Sequence, residues 1–432
     1  MNTIELSKRQ KIALDLLKKG YNVFLTGPGG TGKSTIIKIF KQWCEENNKN
    51  IALTSTTGVS ALLINGTTTH NFAGIGLGED SVDCLINKVL SNKFIVYRWN
   101  STKVLVIDEI SMMKPELLEK LNQIAQVVRN NANPFGGIQM VLTGDFAQLP
   151  PVYIDEKEKF CFESPIWSQI VEKTVHLNEI MRQQDKVFQK CLSEIRLGHV
   201  SSETIEILNS RVIGNVQVQK INGILPTRLF ARKRNVEEIN QKNLERLKEA
   251  GNETKIFTAT TKVINKRMNE ISPAFREGLC NKLNKSCPAP NRLELVVGAQ
   301  VMLNFNYCIE SKLVNGSRGV IVRFTEGIPV VRFITGGEIP VTPVTWILKE
   351  NNTLSVEKTQ IPLIVAYACT IHKVQGATLD LAIIDAGPSV FQFGQIYTAL
   401  SRVRTLEGLY LLKFDKEKIR CHPKVEKFYE VI

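Results

Sequence analysis

The stretch Gly27-Pro28-Gly29-Gly30-Thr31-Gly32-Lys33-Ser34 fits the pattern GxxxxGK[ST], and what flanks it decides the fold. Before it, Tyr21–Thr26 is a short apolar run of strand type. After it, Lys33–Glu46 has helical periodicity and Ile51–Thr54 is a second apolar run. Strand, glycine loop, helix and strand in that order make a β-loop-α-β unit. Glycines let successive backbone N–H groups converge on phosphate oxygens, lysine adds a positive charge, and the helix N-terminus adds its dipole. Gly27, Gly29, Gly30, Thr31, Gly32, Lys33, Ser34 and Thr35 are therefore the candidate nucleotide-binding residues, with Ser34 as a magnesium ligand.

Further along, the apolar run Val104-Leu105-Val106-Ile107 ends in Asp108-Glu109. A strand that delivers two carboxylates beside a phosphate loop suits metal-assisted phosphoryl transfer to water. Asp108 would hold magnesium and Glu109 would orient the attacking water. A third buried-type run, Ile138–Thr143, leads into Gly144-Asp145-Phe146-Ala147-Gln148-Leu149-Pro150-Pro151, so Gln148 emerges at the same sheet edge and can face the γ-phosphate. The same residues also read as a polar turn stiffened by two prolines. With helical stretches at Leu6–Lys19 and Glu116–Arg129, these runs predict a mostly parallel sheet flanked by helices.

A second α/β set is expected from Thr174, with strands Thr174–Leu177 and Arg228–Ala231 and helices Lys186–Leu197 and Asn235–Glu249. From Leu293 to Trp346 the texture turns strand-rich, with Leu295–Leu303, Gly319–Phe324 and Val330–Phe333 punctuated by Asn315-Gly316 and Gly336-Gly337, as in a small antiparallel barrel. Strands Ile361–Ala368, Ala382–Ile384 and Gly408–Leu412 then resume the α/β pattern. The expected division is a first domain at 1–172 with a short insertion at 73–100, a second at 173–292 and 351–432, and an inserted module at 293–350. Arg182 and Arg402 fall in the second α/β set. Nucleotide sites between paired domains recruit arginine to the developing phosphate charge.

The remaining composition limits the function classes. The chain has 432 residues, with 43% hydrophobic and 22% charged, which suits two to four folded domains and excludes wholesale disorder. Nine cysteines without a CxxC pair argue against zinc and against a disulfide framework. A net charge of +13 suits a polyanionic partner, nucleic acid before an anionic membrane. No apolar run reaches the length of a bilayer span and the first residues lack a signal-peptide pattern, so an intracellular location is expected, with its compartment open.

The order of these motifs resembles the superfamily 1B helicases of the Pif (petite-integration-frequency) type, from Leu6 to Leu412. Glu116–Met140, with Leu117-Leu118-Glu119-Lys120-Leu121 and Asn133-Pro134-Phe135-Gly136-Gly137-Ile138-Gln139, is similar to that family's signature segment. The resemblance implies two RecA-like P-loop domains in tandem with ATP between them, a strand-separating pin at 73–100 and an SH3-like β-barrel at 293–350. It implies that Gln10 reads the adenine edge and that Gln148 meets the γ-phosphate. Arg182, in Leu177-Asn178-Glu179-Ile180-Met181-Arg182-Gln183, and Arg402, in Tyr397-Thr398-Ala399-Leu400-Ser401-Arg402, would be arginine fingers.

Thr370-Ile371-His372-Lys373-Val374-Gln375-Gly376-Ala377-Thr378-Leu379-Asp380 resembles the motif joining DNA to the nucleotide, with His372 and Lys373 at DNA and Gln375 and Gly376 nearer ATP. The run Thr54–Ala61 followed by Thr69-His70-Asn71-Phe72 resembles the first DNA-binding motif, with Thr56, Gly58, His70 and Phe72 as contacts, although Phe72 equally reads as a core aromatic. Met181, Val374 and Ala147 depart from the family pattern without removing a catalytic group. The implied activity is an ATP- and Mg2+-dependent DNA helicase, moving 5′ to 3′ on single-stranded DNA and unwinding tailed duplexes, with a monomer expected. An RNA helicase, a protein-displacing translocase and a DNA-binding scaffold with a vestigial nucleotide switch stay open as alternatives.

Overall fold

Val23, Phe24, Leu25 and Thr26 are all buried, and a strand buried on both faces belongs inside a sheet that helices cover on both sides. A computed structural model of the chain describes residues 5–151, 160–265, 271–308, 311, 313–350 and 353–432. In it this strand, β1 (Val23–Thr26), joins β2 (Ile51–Ser55), β3 (Thr67–Thr68), β4 (Val104–Asp108), β5 (Gln139–Gly144) and β6 (Lys173–His176) in the order β3-β2-β4-β5-β1-β6. Every pairing is parallel. Val23 and Leu25 share one core with Ala13, Leu17, Ile36, Ile37 and Phe40 of the helices Lys8–Lys18 and Lys33–Glu46. Phe24 alternates to the opposite face, where it meets Trp167 edge-on at 5.1 Å and also touches Phe146 and Phe428.

Phe428 lies on the helix Pro423–Val431, and its ring stacks on Phe162 at 4.2 Å. Aromatic pairs of this kind contribute roughly 0.5–1.5 kcal/mol each beyond the area they bury. They anchor this helix in the first of two compact units, which are Met1–Arg182 with Cys421–Ile432, and Gln183–Arg420. Two expected boundaries therefore move. The strand at Thr174 closes the first sheet as β6 instead of opening the second set, and Cys421–Ile432 belongs to the first unit. Arg182 accordingly sits in unit 1, not in the second set.

Unit 2 begins its sheet with β7 (Thr227–Phe230). Antiparallel strands follow: β8 (Thr254–Thr258), β9 (Thr260–Asn265), β10 (Arg292–Val296), β11 (Gln300–Leu303), β12 (Arg318–Thr325), β13 (Ile328–Phe333), β14 (Glu338–Pro340), β15 (Val344–Lys349), β16 (Leu354–Gln360) and β17 (Leu363–Val365). They form three sheets, β14-β13-β12-β11-β17, β15-β16-β9 and β10-β8. Then β18 (Ala368–Thr370), β19 (Ala382–Ala386) and β20 (Leu409–Phe414) complete a parallel sheet in the order β18-β7-β19-β20.

The strand-rich stretch is thus wider than 293–350, and two expected strands, one within it and one in the resumed α/β set, are broken. Leu295–Leu303 divides near Gly298, whose φ of +86° no regular strand holds; β10 then pairs with β8 and β11 with β12 and β17. Ile361–Ala368 divides into β17 and β18, which serve different sheets. No helix among the described residues is long and apolar enough to cross a membrane.

In unit 1 the 73–100 insertion is mainly helical, with Val82–Leu90 and Lys93–Ser101 packed on each other and on Pro115–Arg129. The signature segment, which begins on that last helix, ends in a left-handed turn at Pro134–Gly137. Phe135 is buried at φ 49°, its N–H donates to Asn122 Oδ1 at 2.7 Å, and Arg129 Nε donates to the Gly136 carbonyl at 2.7 Å. A Cβ on Gly136 would lie 2.7 Å from the Ala125 carbonyl oxygen at φ +60°, whereas Gly251, at φ +79°, meets nothing within 4 Å. Gly251→Ala should therefore lower stability by only the backbone cost of about 1–2 kcal/mol. Gly136→Ala should cost clearly more. Thermal unfolding of the two variants side by side checks the difference.

Candidate nucleotide-binding site

The parallel register of unit 1 brings several loops to one sheet edge. Thr26 pairs with Gly144 and Ser55 with Asp108, so the phosphate loop, Asp108-Glu109, the Asp145–Gln148 turn and Thr56 all leave the carboxyl ends of neighbouring strands, where ligands of such sheets bind. Gly27 has a φ of +137° and a Cβ there would stand 2.2 Å from the Leu177 carbonyl oxygen, so only glycine fits where the loop passes the end of β6. Lys33 Nζ donates to the carbonyls of Gly27 at 2.6 Å and Pro28 at 3.0 Å, which holds the ammonium over the loop where a phosphate can compete for it. Ser34 opens the helix Lys33–Glu46 and is exposed.

Gln10 stands beside the loop as expected, but its amide is engaged within the protein. Nε2 donates to the Thr31 carbonyl at 3.0 Å, and Oε1 accepts from the Ser7 N–H at 2.9 Å, closing a capping box on the helix Lys8–Lys18. Met181 N–H donates to the Gly30 carbonyl at 2.9 Å, so the segment carrying Arg182 runs along the phosphate loop.

Asp108 is buried, and its Oδ1 accepts the Glu109 N–H at 3.0 Å. Burial, reinforced by the charge of Glu109, pushes the Asp108 carboxyl up to about 7, against the opposing pull of the Glu109 N–H and of Lys33. Such a carboxylate lacks positive charge, and a divalent cation fits what it needs. Glu109 itself takes a left-handed backbone, φ 54° and ψ 44°, a conformation uncommon for non-glycine residues. Gln148 is buried on a turn where its N–H donates to the Asp145 carbonyl at 2.9 Å.

The motif Thr54–Thr56 is wired into the acidic strand. Hydroxyls of Thr54, Ser55 and Thr56 donate to the carbonyls of Val106, Asp108 and Glu109 at 2.7, 3.2 and 3.0 Å. The sequence includes Thr54 and Ser55 in the run that resembles a DNA-binding motif but not among its contacts, and their hydroxyls are buried on β2. Gly58 begins the short helix that Thr57 caps.

Phe72 is a core aromatic and no stacking surface: its ring is 2% exposed and meets Trp99 edge-on at 4.9 Å, because the helix Thr69–Ala73 turns it inward onto Lys93–Ser101. His70 is half-buried. Burial lowers its imidazole and that of His372 below the ordinary value of 6.5, so both are neutral at pH 7 and present ring faces and N–H groups, not charge.

In unit 2, Thr370 caps the turn Ile371–Val374, leaving Lys373 exposed and His372 half-buried. Gln375 is buried, its Nε2 finds no hydrogen-bond partner among the described residues, and Gly376 follows at φ +80°. Arg402 is 3% exposed, with its guanidinium donating to the Thr398 carbonyl at 3.1 Å and Ser401 Oγ at 2.9 Å. Gln183 straddles it, donating from Nε2 to the carbonyls of Ser401 at 3.1 Å and Val403 at 2.7 Å. The sequence quotes Gln183 next to Arg182 yet carries no sign of this clamp, which spans more than two hundred residues of chain.

A family model described as PIF1-like helicase matches residues 5–206, and another described as DNA helicase Pif1, 2B domain, matches residues 278–324. The crystal structure of Pif1 helicase from Candida albicans is 35% identical, with a TM-score of 0.78 over 99% of this chain and 100% of that one. The chain belongs to the PIF1-like helicase family. Its two parallel α/β units are RecA-like, as the motif order implies. A crystal structure of Pif1 helicase from Bacteroides in complex with ADP-AlF3 and single-stranded DNA is 27% identical, with a TM-score of 0.65 over 99% of this chain and 97% of that one. The ATP-dependent DNA helicase PIF1 of Xenopus laevis is 39% identical, and the chain spans 64% of its length.

The raised Asp108 carboxyl has a definite pH consequence. Its folded-state value lies above the ordinary 3.8, so burial costs nothing at low pH, where the group is neutral folded and unfolded. The cost grows from about pH 4 and is complete above about pH 7. In EDTA without nucleotide, Asp108→Asn should melt several degrees above the wild type at pH 8, with the gap shrinking at pH 5. Differential scanning calorimetry at both pH values tests this, and an equal gap at the two would contradict it.

Proposed function

We propose that the chain is an ATP-dependent DNA helicase that moves 5′ to 3′ on single-stranded DNA and unwinds duplexes, with work in replication, repair or recombination. The observation that carries this reading is the direct hydroxyl-to-carbonyl wiring between the Thr54–Thr56 segment and the strand end holding Asp108 and Glu109. A strand-gripping segment bonded to the backbone that carries the hydrolytic carboxylates couples DNA contact to phosphate chemistry through neighbouring main-chain groups. The relatives' names and the nucleotide- and DNA-bound Bacteroides neighbour support the same reading.

In this scheme the phosphate loop and Lys33 bind the phosphates, and Ser34 and Asp108 hold magnesium. When bound, magnesium neutralises charge on the phosphate oxygens. Glu109 orients the attacking water and Gln148 meets the γ-phosphate. Arg182 and Arg402 stabilise the charge that develops there, and Gln183 sets the turn from which Arg402 acts. The buried amide of Gln375 supplies a donor toward the nucleotide, while Thr56, Gly58, His70, His372 and Lys373 grip the strand. The 73–100 helices, with exposed Phe94 and Tyr97, act as the pin, and the antiparallel insertion is an SH3-like module.

Steady-state ATP hydrolysis with single-stranded DNA or RNA, followed by unwinding of tailed duplexes, tests the proposal. Hydrolysis should rise with DNA, 5′-tailed duplexes should open and 3′-tailed ones should not, and Lys33→Ala should abolish turnover while single-strand binding persists. Stimulation by RNA alone, or hydrolysis without unwinding, would replace the proposal with an RNA helicase or a translocase.

Arg182→Ala and Arg402→Ala should each lower kcat by orders of magnitude, since an arginine finger is worth about 10³–10⁵ in rate. Nucleotide affinity, measured by equilibrium titration, should change far less. Lysine at either position should restore little, because it lacks the planar fork.

A further inference from the structure

The phenol of Tyr429 enters the nucleotide edge of unit 1 from the helix Pro423–Val431. Its oxygen accepts the Phe146 N–H at 2.9 Å, it donates to Asp145 Oδ1 at 3.0 Å, and it lies 2.9 Å from Thr26 Oγ1. A phenol has one proton and two acceptor sites. With the proton committed to the Asp145 carboxylate, the Thr26 hydroxyl is the donor, and all three capacities are filled at once. Thr26 is the residue before the phosphate loop, and Asp145 and Phe146 begin the turn that carries Gln148.

Asp145 is 0% exposed. A buried carboxylate must be supplied with donors, and this one receives the Tyr429 hydroxyl, the Ala147 N–H at 3.2 Å and a long contact from Gln148 Nε2 at 3.5 Å. The phenol thus meets part of the demand for donors that Asp145 also places on the Gln148 amide.

We infer that Tyr429 is a positioning residue for ATP hydrolysis, which holds the Asp145 turn so that the Gln148 amide stays directed at the γ-phosphate. The inference rests on the reading of Gln148 given above. It assigns the 423–431 helix, which follows all of unit 2 in sequence, a part in the chemistry of unit 1.

The test is DNA-stimulated ATP hydrolysis by the full chain, Tyr429→Phe, Gln148→Ala and the double variant, with melting temperatures alongside. Phenylalanine keeps the ring and its packing and removes only the hydroxyl. Tyr429→Phe should lower kcat about tenfold, with KM for ATP and affinity for single-stranded DNA changed less than about twofold. Its melting temperature should stay well above the assay temperature. In the Gln148→Ala background the same change should cost nothing further, because the group it positions is gone. Wild-type kcat in Tyr429→Phe, or an equal loss in both backgrounds, would overturn the inference. A fully active Gln148→Ala would instead overturn the γ-phosphate reading of Gln148, and this outcome is distinguishable from the other two.

Discussion

Parallel strand register in unit 1 is the constraint on which the site depends. Thr26 lies level with Gly144, and Ser55 with Asp108, so four loops of different sequence end side by side. A slip of one residue in β4 would turn the Asp108 side chain to the other face of the sheet and carry the Thr54–Thr56 hydrogen bonds away with it. Strands β1, β4 and most of β5 are buried on both faces, so their register is held by packing against particular neighbours and not by a polar face turned to solvent.

Two buried carboxylates stand at this edge and are treated in opposite ways. Asp145 is supplied with donors from a phenol, a backbone amide and a side-chain amide. For Asp108 the Glu109 N–H, the charge of Lys33 and the Thr143 hydroxyl do not offset burial, and the charge of Glu109 adds to the cost. Burial of a charge without full compensation is costly, and a fold retains such an arrangement where the missing charge arrives with a ligand.

Much of this was legible in the residues. The helix Lys33–Glu46 was readable to its ends, since the glycine loop fixes its start and its apolar stripe fixes its face. Asp108 and Gln148 were readable because a buried strand must deliver its next polar residue at the sheet edge. What escaped depended on partners far along the chain. Lys173–His176 has one buried residue, so its own pattern could not say which sheet it would edge. Phe72 next to His70 reads equally as a base contact and as a core aromatic, and only Trp99 beside it decides for the core. Leu295–Leu303 read as one strand because its apolar run continues through Gly298, and only the choice of different sheet partners breaks it there.

The attachment of Phe428 and Tyr429 to unit 1 also shapes the protein's birth. The ribosome releases residues 5–182 long before it makes Cys421–Ile432, because the whole of unit 2 must be synthesised in between. At about 5–20 residues per second, those roughly 240 residues take on the order of 10–50 seconds. Throughout that interval Phe24, Phe146, Phe162 and Trp167 wait without the ring that stacks on Phe162, and Asp145 waits without its phenol. The first unit to emerge is therefore the last to be finished, and its aromatic face stays open to solvent until the chain's final helix is made.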